Sequence, residues 1–191
     1  KYMQDLPQDT TVNTAIDAIS HAVEGMLSTA AGELSDALAR EALRSLFGEY
    51  ENLRQGRYTP EGRQNLLYGA SAAGMVIANT GTSPVHTLGY SLTYYHGVPH
   101  GRANGLLLPA FLARCLQKDR VRTERIYAAL GMGAEEFSRK LAVLLGERES
   151  YPDSELRAWA TKAAQSRKKC AVDFSEEELY AVLKASVRRC V

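Results

Sequence analysis

Asp17 and His21, in the segment IDAISHAVEG, stand one helical turn apart, so on a helix both side chains share a face. A carboxylate and an imidazole placed this way can hold one divalent cation, or can simply hydrogen-bond to each other on a partly exposed face. The remaining three of the four histidines fall together in PVHTLGYSLTYYHGVPHG, as His86, His96 and His100. Gly97 and Pro99 keep His86 and His100 off a single helix. A helix carrying His86, a reversal, and a second helix starting at His100 would bring both into one pocket. One carboxylate and three imidazoles make a donor set of three nitrogens and one oxygen. That set suits Fe2+ or Zn2+ and fits poorly with Mg2+ or Ca2+, which prefer all-oxygen shells. A catalytic ion in such a set keeps one position open for water or substrate. Spacing leaves a second reading open, in which His86 and His96 are ordinary cap or surface residues.

The elements that must position these groups read as helices almost throughout. Thr10 or Thr11 caps a first helix through Ile16, Ile19, Val23 and Met26, whose spacing of three and four is helical. A second helix is expected from about Ser35 to Leu53, with Leu38, Leu43, Leu46 and Phe47 on its inner side and Gly56 ending it. Thr59 and Pro60 mark the start of a third, to about residue 79. Its run of Gly69, Ala70, Ser71, Ala72, Ala73 and Gly74 would let neighbours approach closely, which makes it the expected buried centre. The helix carrying His86 follows Pro84, Gly97 and Pro99 break it, and an apolar helix then runs to about Leu116, bent near Pro109. Amphipathic helices follow at about 119–130, 134–146, 153–168 and 176–190, the last with a capping box of Ser175 and Glu178. YSLTYY is the one β-prone window, and helix signals flank it. An all-α bundle of about eight to nine helices is the expected fold.

With 191 residues, 45% hydrophobic and 24% charged, the composition is that of a globular protein. The net charge of +1 offers no field for nucleic acid or an anionic membrane, and no apolar run is long enough to span a bilayer. Cys115, Cys170 and Cys190 are odd in number and lack metal-ligand spacing, so they read as reduced thiols in a cytoplasm, Cys115 as a core residue. No nucleotide-binding glycine fingerprint is present. The chain opens at Lys1 in a polar, loop-like segment and reads as a piece of a longer protein.

Taken together, several segments carry a resemblance. Asp17 to Gly25 is similar to the DAxxHAxE segment of the iron-containing (group III) alcohol dehydrogenases. His86, the Val98-Pro99-His100-Gly101 turn, Ala103-Asn104 and Leu107-Leu108-Pro109 resemble that family's later signature. Leu6-Pro7, Thr10-Thr11 and the small-residue helix with Asn79 also fit, and the resemblance is dense from about residue 6 to 114. It implies a dehydroquinate synthase-like C-terminal helical domain, covering residues 1–191, with the family's N-terminal NAD(P)-binding domain absent from this chain. It implies Asp17, His21, His86 and His100 as ligands to Fe2+ (or Zn2+), and NAD or NADP held by the missing domain. The function implied is NAD(P)-linked alcohol dehydrogenase or aldehyde reductase chemistry on a small alcohol or aldehyde, inactive in this chain alone, and homo-oligomeric in the full-length protein.

The sequence departs from the family at Tyr90, where many members carry a further histidine credited with proton relay; a phenol titrates near 10, an imidazole near 6.5. Tyr90 and the additional His96 are therefore read as neighbours of the ligands or as surface residues. Tyr94 and Tyr95 read as packing, Arg102 and Asn104 as caps or supports to the ligands, Asn79 as cleft or helix-end, and Arg167-Lys168-Lys169 as a solvated helix end. Two alternatives stand beside the dehydrogenase: a metal-dependent helical hydrolase, against which the lack of a His-Asp dipeptide counts, and a non-enzymatic helical interaction module.

Overall fold

The computed structural model describes residues 3–166 and 169–189. Ten helices occur among them: α1 (Gln8–Met26), α2 (Glu33–Gly48), α3 (Tyr50–Gln55), α4 (Pro60–Thr80), α5 (Pro84–His96), α6 (His100–Lys118), α7 (Arg120–Leu130), α8 (Ala134–Leu145), α9 (Asp153–Ala164) and α10 (Glu176–Ser186). Two short strands, β1 (Ser150–Tyr151) and β2 (Arg188–Arg189), pair in parallel, a local tie that the sequence did not announce. None of the helices is long and apolar enough to cross a membrane.

The expected helices are present, one of them split, and the last ends at Ser186, ahead of β2, rather than near residue 190. The run expected from Ser35 to Leu53 breaks at Glu49, whose backbone leaves helical geometry (φ −92°, ψ 13°). The break turns the Glu49 carboxylate inward, where it accepts from Asn52 Nδ2 (2.5 Å) and from Asn65 Nδ2 of α4 (2.8 Å). Tyr50 and Leu53 are buried by the same turn. At the first helix the cap is Pro7 rather than Thr10 or Thr11; Thr11 instead donates its hydroxyl back to the Pro7 carbonyl (2.9 Å). The Thr59–Pro60 start and the Ser175–Glu178 capping box form as their residue types dictate. The YSLTYY window lies wholly within α5.

The small-residue helix α4 is not the centre. Eight of its 21 residues are buried, and Leu67, Tyr68 and Met75 face outward. The centre is α1, with twelve of 19 residues buried, packed against α2, α4 and α6. Small residues on α4 serve one face only, where they let α1 and α2 come close. Between α5 and α6 the reversal occupies just Gly97, Val98 and Pro99: Gly97 takes φ +67°, its N–H bonds the Thr93 carbonyl (3.0 Å), and Pro99 then opens α6. This fixes the start of α6, and with it His100. Cys115 is buried and Cys170 half-buried, both free thiols, and burial pushes each thiol pKa upward. Cys190, Arg167 and Lys168 lie outside the described residues.

Candidate metal centre

Three helices deliver the four residues that the sequence singles out. Asp17 and His21 sit on one face of α1, His86 in the first turn of α5, and His100 at the first position of α6. Asp17 is the hub. Its Oδ2 lies 3.6 Å from His21 Nε2, and its Oδ1 lies 3.6 Å from His86 Nε2 and 3.7 Å from His100 Nε2. Asp17, His21 and His86 each bring one ligating atom within 4.8 Å of the others. His100 stands just outside that tight group, with its ring 5.1 Å from that of His86.

A residue overlooked at the sequence level, Glu24, holds the floor of the site. It is fully buried. Its carboxylate accepts from the Ser83 hydroxyl, from the His86 backbone N–H (3.3 Å) and from His86 Nδ1. Ser83 is the cap residue of α5, yet its hydroxyl goes to Glu24 and the carboxylate of Glu24 takes the helix N–H instead. A carboxylate at a helix N-terminus is stabilised by the orphan N–H groups and the dipole there. One consequence is chemical. With Nδ1–H given to Glu24, the Nε2 of His86 is the nitrogen turned toward Asp17, which is how a ligating imidazole is oriented by a carboxylate behind it. The signal was present in the sequence: Glu24 continues the Asp17, His21 stripe one turn on, inside an otherwise apolar run.

Asn104 of α6 completes the interior. Its Nδ2 donates to Asp17 Oδ1 (2.9 Å) and lies 3.1 Å from His100 Nε2 and 3.2 Å from His86 Nε2. Its Oδ1 is buried without a partner. Room for that oxygen comes from Gly89: a Cβ there would meet Asn104 Oδ1 at 2.1 Å. Glycine inside a helix is unfavourable by roughly 1 kcal/mol against alanine, and this close approach is the reason for it here.

The charges follow from burial and from these partners. Burial opposes protonation of His86, but its contact with Asp17, its hydrogen bond to Glu24 and the negative charge of both outweigh burial, and its pKa is pushed up to about 9. Burial also lowers the pKa of His21 and of His100, with the charge of Asp17 offsetting only part of that effect. Burial would raise Asp17, yet His86, His21, Asn104 and His100 together hold its carboxyl below the usual value. At neutral pH the group is therefore an ionised Asp17 facing neutral His21 and His100 and a protonated His86.

These residues fit a divalent cation. The separations of 3.6–3.7 Å between each Nε2 and the Asp17 oxygens are too long for hydrogen bonds, and they leave lone pairs facing lone pairs that the two hydrogens of the Asn104 amide serve only in part. A proton on His86 relieves one such pair. A cation held by three imidazoles and a carboxylate relieves all of them, and the donor chemistry matches Fe2+ or Zn2+.

Tyr90 belongs to the same neighbourhood. Its ring stacks on His100 (centroids 5.0 Å, planes 10° apart) and meets His86 edge-on at 6.2 Å. His96 does not. It pairs with Glu155 of α9 (2.6 Å) and packs on Tyr151 and Trp159, in contacts that involve none of the four ligand candidates. Arg102 reaches the carbonyl of Leu145 at the end of α8 and, beyond that helix, Glu149 and the carbonyl of Glu147, and Asn79 bonds the Met75 carbonyl of its own helix (2.8 Å). Tyr94 and Tyr95 are exposed. Beside Asp17 and His100 opens a recess of about 390 Å³, lined also by Thr10, Asn13, Thr14 and Pro99.

Comparison with known proteins follows the same lines. The family model for the C-terminal part of the Fe-containing alcohol dehydrogenase family matches residues 11–187. Alcohol dehydrogenase 4 of Schizosaccharomyces pombe is 32% identical over 146 residues, 74% of this chain and 33% of that protein. The 1,3-propanediol dehydrogenase of Klebsiella pneumoniae is 36% identical over 106 residues, 54% of this chain and 27% of the relative. The crystal structure of an iron-containing alcohol dehydrogenase from Thermotoga maritima superposes with a TM-score of 0.86 at 29% identity, over 97% of this chain and 51% of that one. The chain thus spans about a third of its curated relative from S. pombe and about half of the solved structure. By a match that runs through nearly all of its helices, this chain belongs to the Fe-containing alcohol dehydrogenase family, as its C-terminal helical part.

Proposed function

We propose that this chain is the metal-binding half of an NAD(P)-linked alcohol dehydrogenase or aldehyde reductase. The observation that carries the reading is the convergence of Asp17, His21, His86 and His100 from three helices onto one carboxylate, within a family whose relatives are dehydrogenases and reductases of alcohols and aldehydes. Asp17, His21, His86 and His100 would hold a divalent iron or zinc ion. When bound, that ion supplies a Lewis acid toward the substrate oxygen.

The chain's own residues do the rest of the placement. Glu24 keeps the His86 ring in one tautomer, and Asn104 keeps Asp17 turned inward. The recess at Thr10, Asn13, Pro99 and His100 admits a small alcohol or aldehyde with its oxygen toward Asp17 and His100. Tyr90, exposed over His100, offers a hydroxyl for hydrogen bonding. Hydride exchange requires a nicotinamide, which the N-terminal nucleotide-binding domain of the family would hold against the open side of the recess. Free, unpaired Cys115 and Cys170 accord with a reducing cytoplasm. Family membership favours this reading over a helical hydrolase or a non-enzymatic interaction module.

The test is complementation. The 191-residue chain, loaded with Fe2+ or Zn2+ and given NAD(P) and an alcohol, shows no turnover alone. Joined to an N-terminal nucleotide-binding domain of the family, it turns over only with the metal present. Turnover by the chain alone, or turnover in the joined protein that survives removal of metal by a chelator, overturns the proposal.

A further inference from the structure

We propose that Gly101 is a positioning residue that sets the reach of His100 to Asp17; the inference rests on the metal reading above. His100 is the outlying member of the group. It opens α6, its side chain is part-exposed, and it stands apart from the tight set of Asp17, His21 and His86. Its distance from Asp17 is therefore decided by where the first turn of α6 lies against α1.

Gly101, the next residue, makes that contact. A Cβ there would meet the Asn13 backbone oxygen at 1.8 Å and Asp17 Cβ at 3.1 Å. Asn13 stands one turn before Asp17 on α1, so its carbonyl is the one that accepts the Asp17 N–H in a regular helix. A backbone oxygen cannot rotate aside as a side chain would. The central helix α1 is packed on its other sides against α2 and α4, so it cannot retreat. Any side chain at position 101 lifts the start of α6, by at least about 1.2 Å if the contact is to reach 3.0 Å. His100 Nε2, now 3.7 Å from Asp17 Oδ1, would move with it. Metal sites hold their ligand distances to within about 0.2 Å, so a displacement of that size takes His100 out of the group. Alanine is the better helix former, and a glycine in this turn is disfavoured unless the space is needed. Gly105, one turn further along α6, supplies the contrast. A Cβ there would meet Ile16 Cγ2 at 2.5 Å and the Leu145 methyls at 3.4 Å, all of them side-chain atoms that can repack.

The experiment compares Zn2+ affinity, by competition with a chromogenic chelator, in the wild-type chain, Gly101→Ala, Gly105→Ala, His100→Ala and the Gly101→Ala, His100→Ala pair. Both glycine variants are expected to melt at lower temperature than wild type when metal-free, since each overpacks the contact between α1 and α6. Only one of them is expected to lose the metal: Gly101→Ala weakens Zn2+ binding about 10- to 100-fold, the range for groups that place ligands, and Gly105→Ala less than about threefold. In the His100→Ala background the cost of Gly101→Ala is expected to shrink at least threefold, because the share acting through His100 is gone. Equal losses from the two glycines, a cost that shrinks less than this, or a Gly101→Ala chain that does not fold overturns the proposal, for the glycine then serves the fold and not the ligand. Proton NMR of the unaltered, chelator-treated chain needs no variant. It is expected to show a strong nuclear Overhauser effect between a Gly101 Hα and the Asp17 β hydrogens; its absence overturns the proposal. A wild-type chain that takes up no Zn2+ is a different failure, one that removes the metal reading and this inference with it.

Discussion

Replacing Glu24 with glutamine removes one negative charge from the floor of the histidine cluster while keeping the shape of the side chain. The structure sets the size of the effect. His86 is held at a pKa of about 9, against an ordinary value near 6.5, and roughly 2.5 pH units correspond to about 3 kcal/mol in favour of the imidazolium. Two carboxylates, Asp17 and Glu24, share that preference, so Glu24→Gln should forfeit roughly 1–2 kcal/mol of stability. In a domain of this size that lowers the melting temperature by about 3–6 °C. The sign with pH is fixed. A group whose pKa is raised on folding contributes fully below its unfolded value and loses that contribution as pH rises through its folded one. The gap between wild type and Glu24→Gln is therefore widest near pH 6 and narrows by about pH 10. Urea denaturation of the chelator-treated chain across that range measures it. Zn2+ affinity should fall about 10- to 100-fold in the same variant, since Glu24 also orients the ligating ring. A stability gap of the same size at both ends of the pH range, or unchanged metal affinity, would refute the reasoning.

Metal loading should itself depend on pH. Below about 9 the cation displaces roughly one proton from His86, so affinity should rise about tenfold per pH unit from about pH 7 and level off above 9; calorimetry in buffers of different ionisation enthalpy counts the protons, and a flat profile contradicts the assignment. Tyr90→Phe should leave metal affinity within about twofold, whereas Tyr90→Ala, which removes the ring stacked on His100, should weaken it roughly 2- to 10-fold, matching the 0.5–1.5 kcal/mol of an aromatic pair. His96→Ala should leave metal affinity unchanged, and its part-exposed pair with Glu155 should be worth at most about 1 kcal/mol in thermal denaturation.

What could be read from sequence was what local chemistry decides. The start of α4 at Thr59-Pro60, the capping box of α10 and the reversal at Gly97-Pro99 depend on residues within a turn of each other, and the structure repeats them. The break at Glu49 was not legible, because one of the partners that its carboxylate meets there, Asn65, lies on another helix, α4. The same limit hid which partners Glu24 and Asn104 take at the candidate metal centre. Asp17, His21, His86 and His100 announce themselves by residue type and spacing. Glu24 and Asn104 carry types that are equally at home in caps and surfaces. Their roles arise only when α5 and α6 fold over α1 and bring Ser83, His86 and Gly89 against them. Likewise the small residues of α4 signalled close packing but not on how many sides.

The central claim is that four side chains from three helices hold one ion, and metal stoichiometry tests it most directly. The chain, purified without chelator-binding tags and dialysed against Fe2+ or Zn2+, should retain about one equivalent at micromolar affinity. Asp17→Ala and His86→Ala should each abolish that binding, and His21→Ala should weaken it at least about 100-fold. Absence of stoichiometric uptake, or uptake that survives the loss of Asp17, would contradict the account.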